Sequence, residues 1–203
     1  MSKLVQIGIG APNFIAIGVY KNRLGKLRLS DYHGKKYVIL FFYPANFTSI
    51  SSTELLNLSE RVVDFRKLST QIIGISVDSP FSHLHYLLSK PSQGGVGQLN
   101  YPLVSDLDKT ITKKYRLLTK DGLSFPGLFI IDKEGIIQYY MVNNLLCGRN
   151  INELLRILQS IQYLKENPGQ ACPVDWESRK NILYSHPLKS KIYFKKFYSN
   201  KNN

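Results

Sequence analysis

Val38-Ile39-Leu40-Phe41-Phe42-Tyr43-Pro44-Ala45-Asn46-Phe47-Thr48-Ser49-Ile50-Ser51-Ser52-Thr53-Glu54 runs from an unbroken apolar stretch, through a proline, into a string of hydroxyl side chains. The stretch from Val38 to Tyr43 predicts a strand buried on both faces. Pro44 has no N–H to continue a ladder and stops it. Thr48, Ser49, Ser51 and Ser52 then offer the short oxygen side chains that favour helix starts. From Ser52 onward, Leu55, Leu58, Val62, Phe65 and Leu68 recur at three- and four-residue spacing, which is one face of a helix. A buried strand that hands over directly to an amphipathic helix is the repeating unit of an α/β fold.

The alternation continues in both directions. Ile72-Ile73-Gly74-Ile75-Ser76-Val77 predicts a second buried strand ending at Asp78-Ser79, followed by a short helix from His83 to Lys90 and a flexible Gly94-Gly95-Val96-Gly97 loop. Leu103-Val104-Ser105-Asp106 begins another strand-to-helix step, with Ile111, Tyr115 and Leu118 on the packed face. Leu128-Phe129-Ile130-Ile131 and Ile136-Ile137-Gln138-Tyr139-Tyr140 flank Asp132-Lys133-Glu134-Gly135, a hairpin signal. Asn152 to Lys165 carries Leu154, Leu155, Leu158, Ile161 and Leu164 at helical spacing. Upstream, Gly10-Ala11-Pro12-Asn13-Phe14 is a turn into an extended segment, and Gly25 to Asp31 a hairpin arm and its exit. Beyond Pro168-Gly169 the period dissolves into a tail with Pro173, Trp176 and Pro187. The pattern predicts an α/β domain over residues 1–165, its central mixed sheet flanked by helices, with an extended C-terminal arm over 166–203.

Composition bounds what such a chain does. At 203 residues it is long enough for one well-buried domain, and 43% hydrophobic with 12% aromatic residues excludes wholesale disorder. The longest apolar run is far short of the about 20 residues of a bilayer-spanning helix. Met1-Ser2-Lys3-Leu4-Val5-Gln6-Ile7 reads neither as a secretory signal nor as a transit peptide. Two cysteines, Cys147 and Cys172, are too few for a disulfide-stapled fold and point to a reducing compartment. A formal charge of +13 suits a polyanion partner, and the tail contributes Lys189, Lys191, Lys195, Lys196 and Lys201 with no acid. No nucleic-acid-binding signature accompanies that charge. His33, His83, His85 and His186 have no acid or cysteine at metal spacing, and the i, i+2 pair His83/His85 falls on different helix faces. Neither a metal nor an organic cofactor is expected. Cys147 is expected as a small buried apolar residue.

The segment around Pro44 resembles the active site of the typical 2-Cys peroxiredoxin family, in which Pro-x-x-x-Thr-x-x-Cys sets a cysteine in the first turn of a helix. Pro44 and Thr48 match, the cysteine position is Ser51, and the usual proline after it is Ser52. Further matches follow in order. They are Ser76-Val77-Asp78-Ser79-Pro80-Phe81-Ser82-His83-Leu84, the Gly94–Gly97 loop with Leu99 to Asp106, and Phe125-Pro126-Gly127-Leu128-Phe129-Ile130-Ile131-Asp132. Then come Gly148-Arg149 before the last amphipathic helix, Gly169-Gln170-Ala171-Cys172-Pro173, and Tyr193-Phe194. The resemblance implies a thioredoxin-like fold. It implies a resolving role for Cys172 against a partner subunit's thiol, and a peroxide-pocket role for Thr48 and Arg149, although Arg149 has an alternative in pairing with an acid such as Glu54. It also implies the loss of two essentials: the thiol, at Ser51, and an active-site arginine, at Pro126. In the family a helix N-terminus carries about half a positive charge and favours a thiolate. A dipole worth about 1 kcal/mol is under one pKa unit and cannot activate an alcohol.

The expectation is therefore a homologue without peroxidase activity, acting as a structural, chaperone-like or regulatory subunit. It would be a homodimer, a ring of dimers, or a mixed oligomer with an active paralogue. The alternatives are a peroxidase reduced by thioredoxin, working through Cys172 or Cys147, and a polyanion binder working through the basic tail. The resemblance is closest to the cyanobacterial and plastid branch. With the Ile/Lys/Asn/Tyr-rich composition of an AT-rich genome it implies a plastid stroma, with the cytoplasm as the alternative.

Overall fold

The computed structural model describes residues 5–178 and 181–199. Met1–Leu4 of the leader reading and Lys201 of the basic tail lie outside the described residues. Contacts divide the chain into two compact units, split after Arg149.

The first unit is built on a seven-stranded mixed sheet. Its strands are β1 (Ile15–Tyr20), β2 (Arg23–Arg28), β3 (Tyr37–Phe42), β4 (Thr70–Ser76), β5 (Leu103–Ser105), β6 (Gly127–Ile131) and β7 (Ile137–Val142), in the spatial order β2-β1-β5-β4-β3-β6-β7. β3, β4 and β5 are parallel, while β6, β7, β1 and β2 add antiparallel edges. This is the thioredoxin-like arrangement. Every residue of β3 is buried, as a strand flanked on both sides and covered on both faces must be.

The connecting helices are α1 (Ser49–Glu60), α2 (Val62–Lys67), α3 (Pro80–Leu88) and α4 (Thr110–Lys114). Phe41 pairs with Gly74 on one face, and Leu55 of α1 lies against it. A Cβ on Gly74 would come 2.5 Å from Leu103 Cδ2, so glycine is needed for that close approach. On the opposite face Phe42 packs 5.2 Å from Tyr115 and 5.9 Å from Phe129, at the centre of the main apolar cluster.

Several expectations shift in detail. The helix expected from Ser52 starts at Ser49 and is interrupted at Arg61, although Leu55, Leu58, Val62 and Phe65 do share a buried face. α3 begins at Pro80 because Ser79 caps it, its hydroxyl accepting from the Ser82 N–H at 3.1 Å. Leu117, not Leu118, joins the core after α4. The glycine loop is tied rather than loose: Gly95 N–H donates to Lys90, Val96 N–H to Tyr86 and Gly97 N–H to Ser89. The β1–β2 turn is Lys21-Asn22, both at positive φ.

The second unit holds α5 (Ile151–Glu166), β8 (Gln170–Ala171), β9 (Leu183–Tyr184) and α6 (Pro187–Tyr198). Leu154 and Leu158 of α5 are buried as its stripe predicts, but Leu164 is not. Where the sequence pattern dissolves into a tail, the structure forms a short ladder and a helix. α6 starts with Pro187 at its first position, and His186 Nδ1 accepts from the Leu188 N–H.

Candidate functional site

β3 ends at Phe42, and the Tyr43 N–H still donates to Ile75 on β4. Buried Pro44 then breaks the ladder, and Phe47 at φ 60° turns the chain into α1. Ser51 becomes the third residue of that helix and is 3% exposed. Thr48 occupies the N-cap position but does not cap the backbone. Its hydroxyl lies 2.8 Å from the Ala45 carbonyl and 2.6 Å from Ser51 Oγ. A hydroxyl has one proton, so when Thr48 donates to Ala45 the Ser51 hydroxyl donates to Thr48. Thr48 and Ser51 are thus brought together at a helix start, as a closed pair of neutral groups. Ser52 Oγ donates to the Thr48 carbonyl at 3.0 Å and sits 2.7 Å from the Tyr86 hydroxyl.

One turn along α1, Glu54 faces Arg149. The carboxylate accepts from Arg149 Nε at 2.8 Å, Nη2 at 2.7 Å and the backbone N–H at 2.7 Å. Nη1 donates to the carbonyls of Phe42 and Gly127, both at 2.9 Å. Four of the five guanidinium protons are therefore committed. The guanidinium also stacks on Phe41, with Cζ 3.4 Å from the ring centre. Burial holds the Arg149 pKa below its ordinary value, with the Glu54 bond and charge countering only part of that pull. Of the two roles open to Arg149, the pairing with Glu54 is the one its contacts describe. Pro126, buried just before β6, accepts from the Asn143 N–H through its carbonyl at 2.9 Å and brings no charge.

A second polar network supports the Pro44–Thr48 loop; its Asp78, Ser82 and His83 fall in the matched Ser76–Leu84 segment, to which the sequence assigned no role. His83 is fully buried; Nε2 lies 3.2 Å from the Val104 carbonyl, and Nδ1 lies 3.2 Å from Asn46 Oδ1 and 3.4 Å from the Tyr43 hydroxyl. Asn46 also donates its backbone N–H to Asp78 Oδ2 and its amide to Ser82 Oγ, each at 2.8 Å. Burial pushes the His83 pKa down to about 4, against upward pulls from the Asp78 charge and the bond to the Val104 carbonyl. The signal in the sequence was four polar residues, Asn46, Asp78, Ser82 and His83, beside buried strands. His85 lies on the exposed face of α3, as expected from the i, i+2 spacing.

The two cysteines differ. Cys147 is exposed, which corrects the expectation of a buried apolar residue. The cause is local: Asn144 turns the chain, with its side chain accepting from the Leu146 N–H and its carbonyl from the Cys147 N–H, so Leu146 and Cys147 face outward. Cys172 follows β8 in the second unit and is half-buried. Burial raises its pKa, with Arg156 pulling the other way. That is opposite to the depression that marks a peroxide-reactive thiol. Tyr193 and Phe194 lie on α6, their rings 5.8 Å apart edge to face. No cluster of three or more metal-type ligands occurs among the described residues.

The sequence model of the AhpC/TSA family matches residues 7–140. The chain is 72% identical to ycf42 of Trieres chinensis, which carries a peroxiredoxin name, over 99% of this chain and 98% of that one. It is 50% identical to the chloroplastic 2-cysteine peroxiredoxin of Chattonella marina var. antiqua, over 94% of this chain and 97% of that one. Among solved structures, the reduced 2-Cys peroxiredoxin of Plasmodium vivax superposes with a TM-score of 0.86 at 36% identity, covering 89% of this chain and 93% of that one.

Proposed function

From a chain that belongs to the AhpC/TSA family, within the plastid and cyanobacterial branch of the 2-Cys peroxiredoxins, we propose a homologue that has lost peroxidase chemistry and serves as a structural, chaperone-like or regulatory subunit. The observation that carries this reading is the Ser51 hydroxyl at the position of the family's reactive thiol, buried and paired with Thr48. An alcohol cannot form the sulfenic acid on which the peroxidase cycle depends. Pro126 removes a second group the reaction needs, and Arg149 is largely committed to Glu54 and two carbonyls.

The subunit acts in a homo-oligomer of dimers or in a mixed assembly with an active paralogue, in the plastid stroma. Relatives named as chloroplastic support that compartment. The arm beyond residue 165 then has a task. In a mixed dimer the Cys172 thiol attacks the partner's sulfenic acid; an S–S bond forms and water leaves. One thiol per site suffices, so this role survives the loss at position 51.

The test is hydrogen-peroxide consumption with a thioredoxin system by the wild type, Ser51→Cys and Ser51→Cys/Pro126→Arg. An inert wild type and a turning-over double variant are expected. Because Pro126 is buried, the alkylation rate of the Ser51→Cys thiol in the single variant is measured alongside. A wild-type rate abolished by Cys172→Ser or Cys147→Ser would overturn the reading in favour of a relocated reactive thiol.

A further inference from the structure

The β1–β2 hairpin lines a groove of about 440 Å³ that the peroxide-pocket segment does not share. Its floor is a cross-strand pair of glycines, Gly18 opposite Gly25, where side chains would otherwise fill the space. A Cβ built on Gly25 meets no atom within 4 Å. Its walls are cationic. Arg23, Lys26 and Arg28 come from β2 and Arg66 from α2, against one acid, Asp31. Among the described residues none of Arg23, Lys26 and Arg28 has an ion-pair partner. Arg66 Nη2 donates to the Asn100 carbonyl at 2.9 Å, which holds that guanidinium at the rim. Half-buried Tyr20 and Tyr32 supply ring surface at the edges.

Four cations gathered around one carboxylate repel one another, and a bound anion relieves that repulsion. Guanidinium forks match phosphate oxygens two at a time, and the groove has the volume of a small-molecule site. The +13 charge of the chain draws anions toward it. We propose that this groove binds an anion carrying adjacent phosphate groups, either an inorganic polyphosphate or a nucleoside polyphosphate. Ser51 is not among the residues that line it.

The experiment is titration calorimetry of the full chain with inorganic triphosphate and, separately, with ATP, at low and at physiological salt. Binding that weakens with salt is expected. ATP matching triphosphate assigns recognition to the phosphates alone; tighter ATP binding assigns a nucleoside contribution at the tyrosines. Arg23→Ala/Arg66→Ala should lower the affinity about tenfold or more. Gly25→Val fills the floor with a strand-favouring side chain and no change of charge, and should abolish binding. Lys189→Ala/Lys191→Ala removes the same charge from residues that do not line the groove and should leave the affinity within about twofold. Far-UV circular dichroism checks that each variant is folded. Absence of binding to both probes, survival of binding in Gly25→Val or in the arginine double variant, or an equal loss in the lysine double variant would each overturn the proposal.

Discussion

Ser51 and Glu54 sit one turn apart on α1, and their polar surroundings follow opposite rules. Glu54 holds a buried ion pair in which both partners are satisfied by several hydrogen bonds. Removing charge from water is costly, and such a pair is tolerated only when nearly every donor and acceptor is used. Ser51 holds one short bond between two neutral hydroxyls, which costs little to bury and constrains little. The charged cluster links α1, the end of β3 and the start of β6. The hydroxyl pair links one turn of helix to its own cap. A residue at position 51 can therefore change from thiol to alcohol without disturbing the anchor beside it.

This contrast is easiest to break at the ion pair. Glu54→Ala strands the Arg149 charge and should cost about 3–5 kcal/mol in urea denaturation. A cost below about 1 kcal/mol would mean that water reaches the guanidinium and the cluster is no anchor. Acid tests the loop from below. The His83 pKa is about 4 in the fold, against 6.5 for the free side chain, so the unfolded chain takes up that proton first. Stability should be flat with respect to this group above pH 6.5 and should fall between 6.5 and 4, by on the order of 3 kcal/mol in total. Replacing His83 with glutamine should flatten that part of the urea-midpoint profile, and an unchanged slope would assign it to other groups. Ser52→Ala removes one of the two partners of the buried Tyr86 hydroxyl, leaving the Phe47 backbone, and should cost about 1–1.5 kcal/mol. Ser51→Ala should cost least, about 0.5–1 kcal/mol, because Thr48 keeps the Ala45 carbonyl. A Ser51→Ala cost equal to that of Ser52→Ala would place Ser51 in a wider network than the hydroxyl pair.

The parts of this fold that were legible from sequence are those in which burial imposes a period. β3 was visible because it is covered on both faces, and the β6–β7 hairpin because Asp132 to Gly135 fits a tight turn. The Pro44-Thr48-Ser51 start was legible through its motif. What escaped depended on partners distant in sequence or on exposed surface. α6 was missed because Leu188, Ile192 and Phe194 leave more than half their surface exposed, so no one-sided stripe marks it. The Lys21-Asn22 turn uses positive φ without glycine. Cys147 resembled a core residue by type, and a single side-chain turn at Asn144 put it outside. The His83 network joins residues far apart in the chain, and its burial is set by the sheet rather than by its own neighbours in sequence.

The alcohol at position 51 also bears on how an assembly ages. Peroxide drives a reactive cysteine up a series of oxidation states, some of them irreversible, so the active fraction of a population drifts with exposure. A hydroxyl at that position has no such series to climb. Subunits of this kind would keep one chemical state there at any oxidant dose, and in a mixed oligomer the share of vulnerable sites would be set at assembly, by stoichiometry rather than by history.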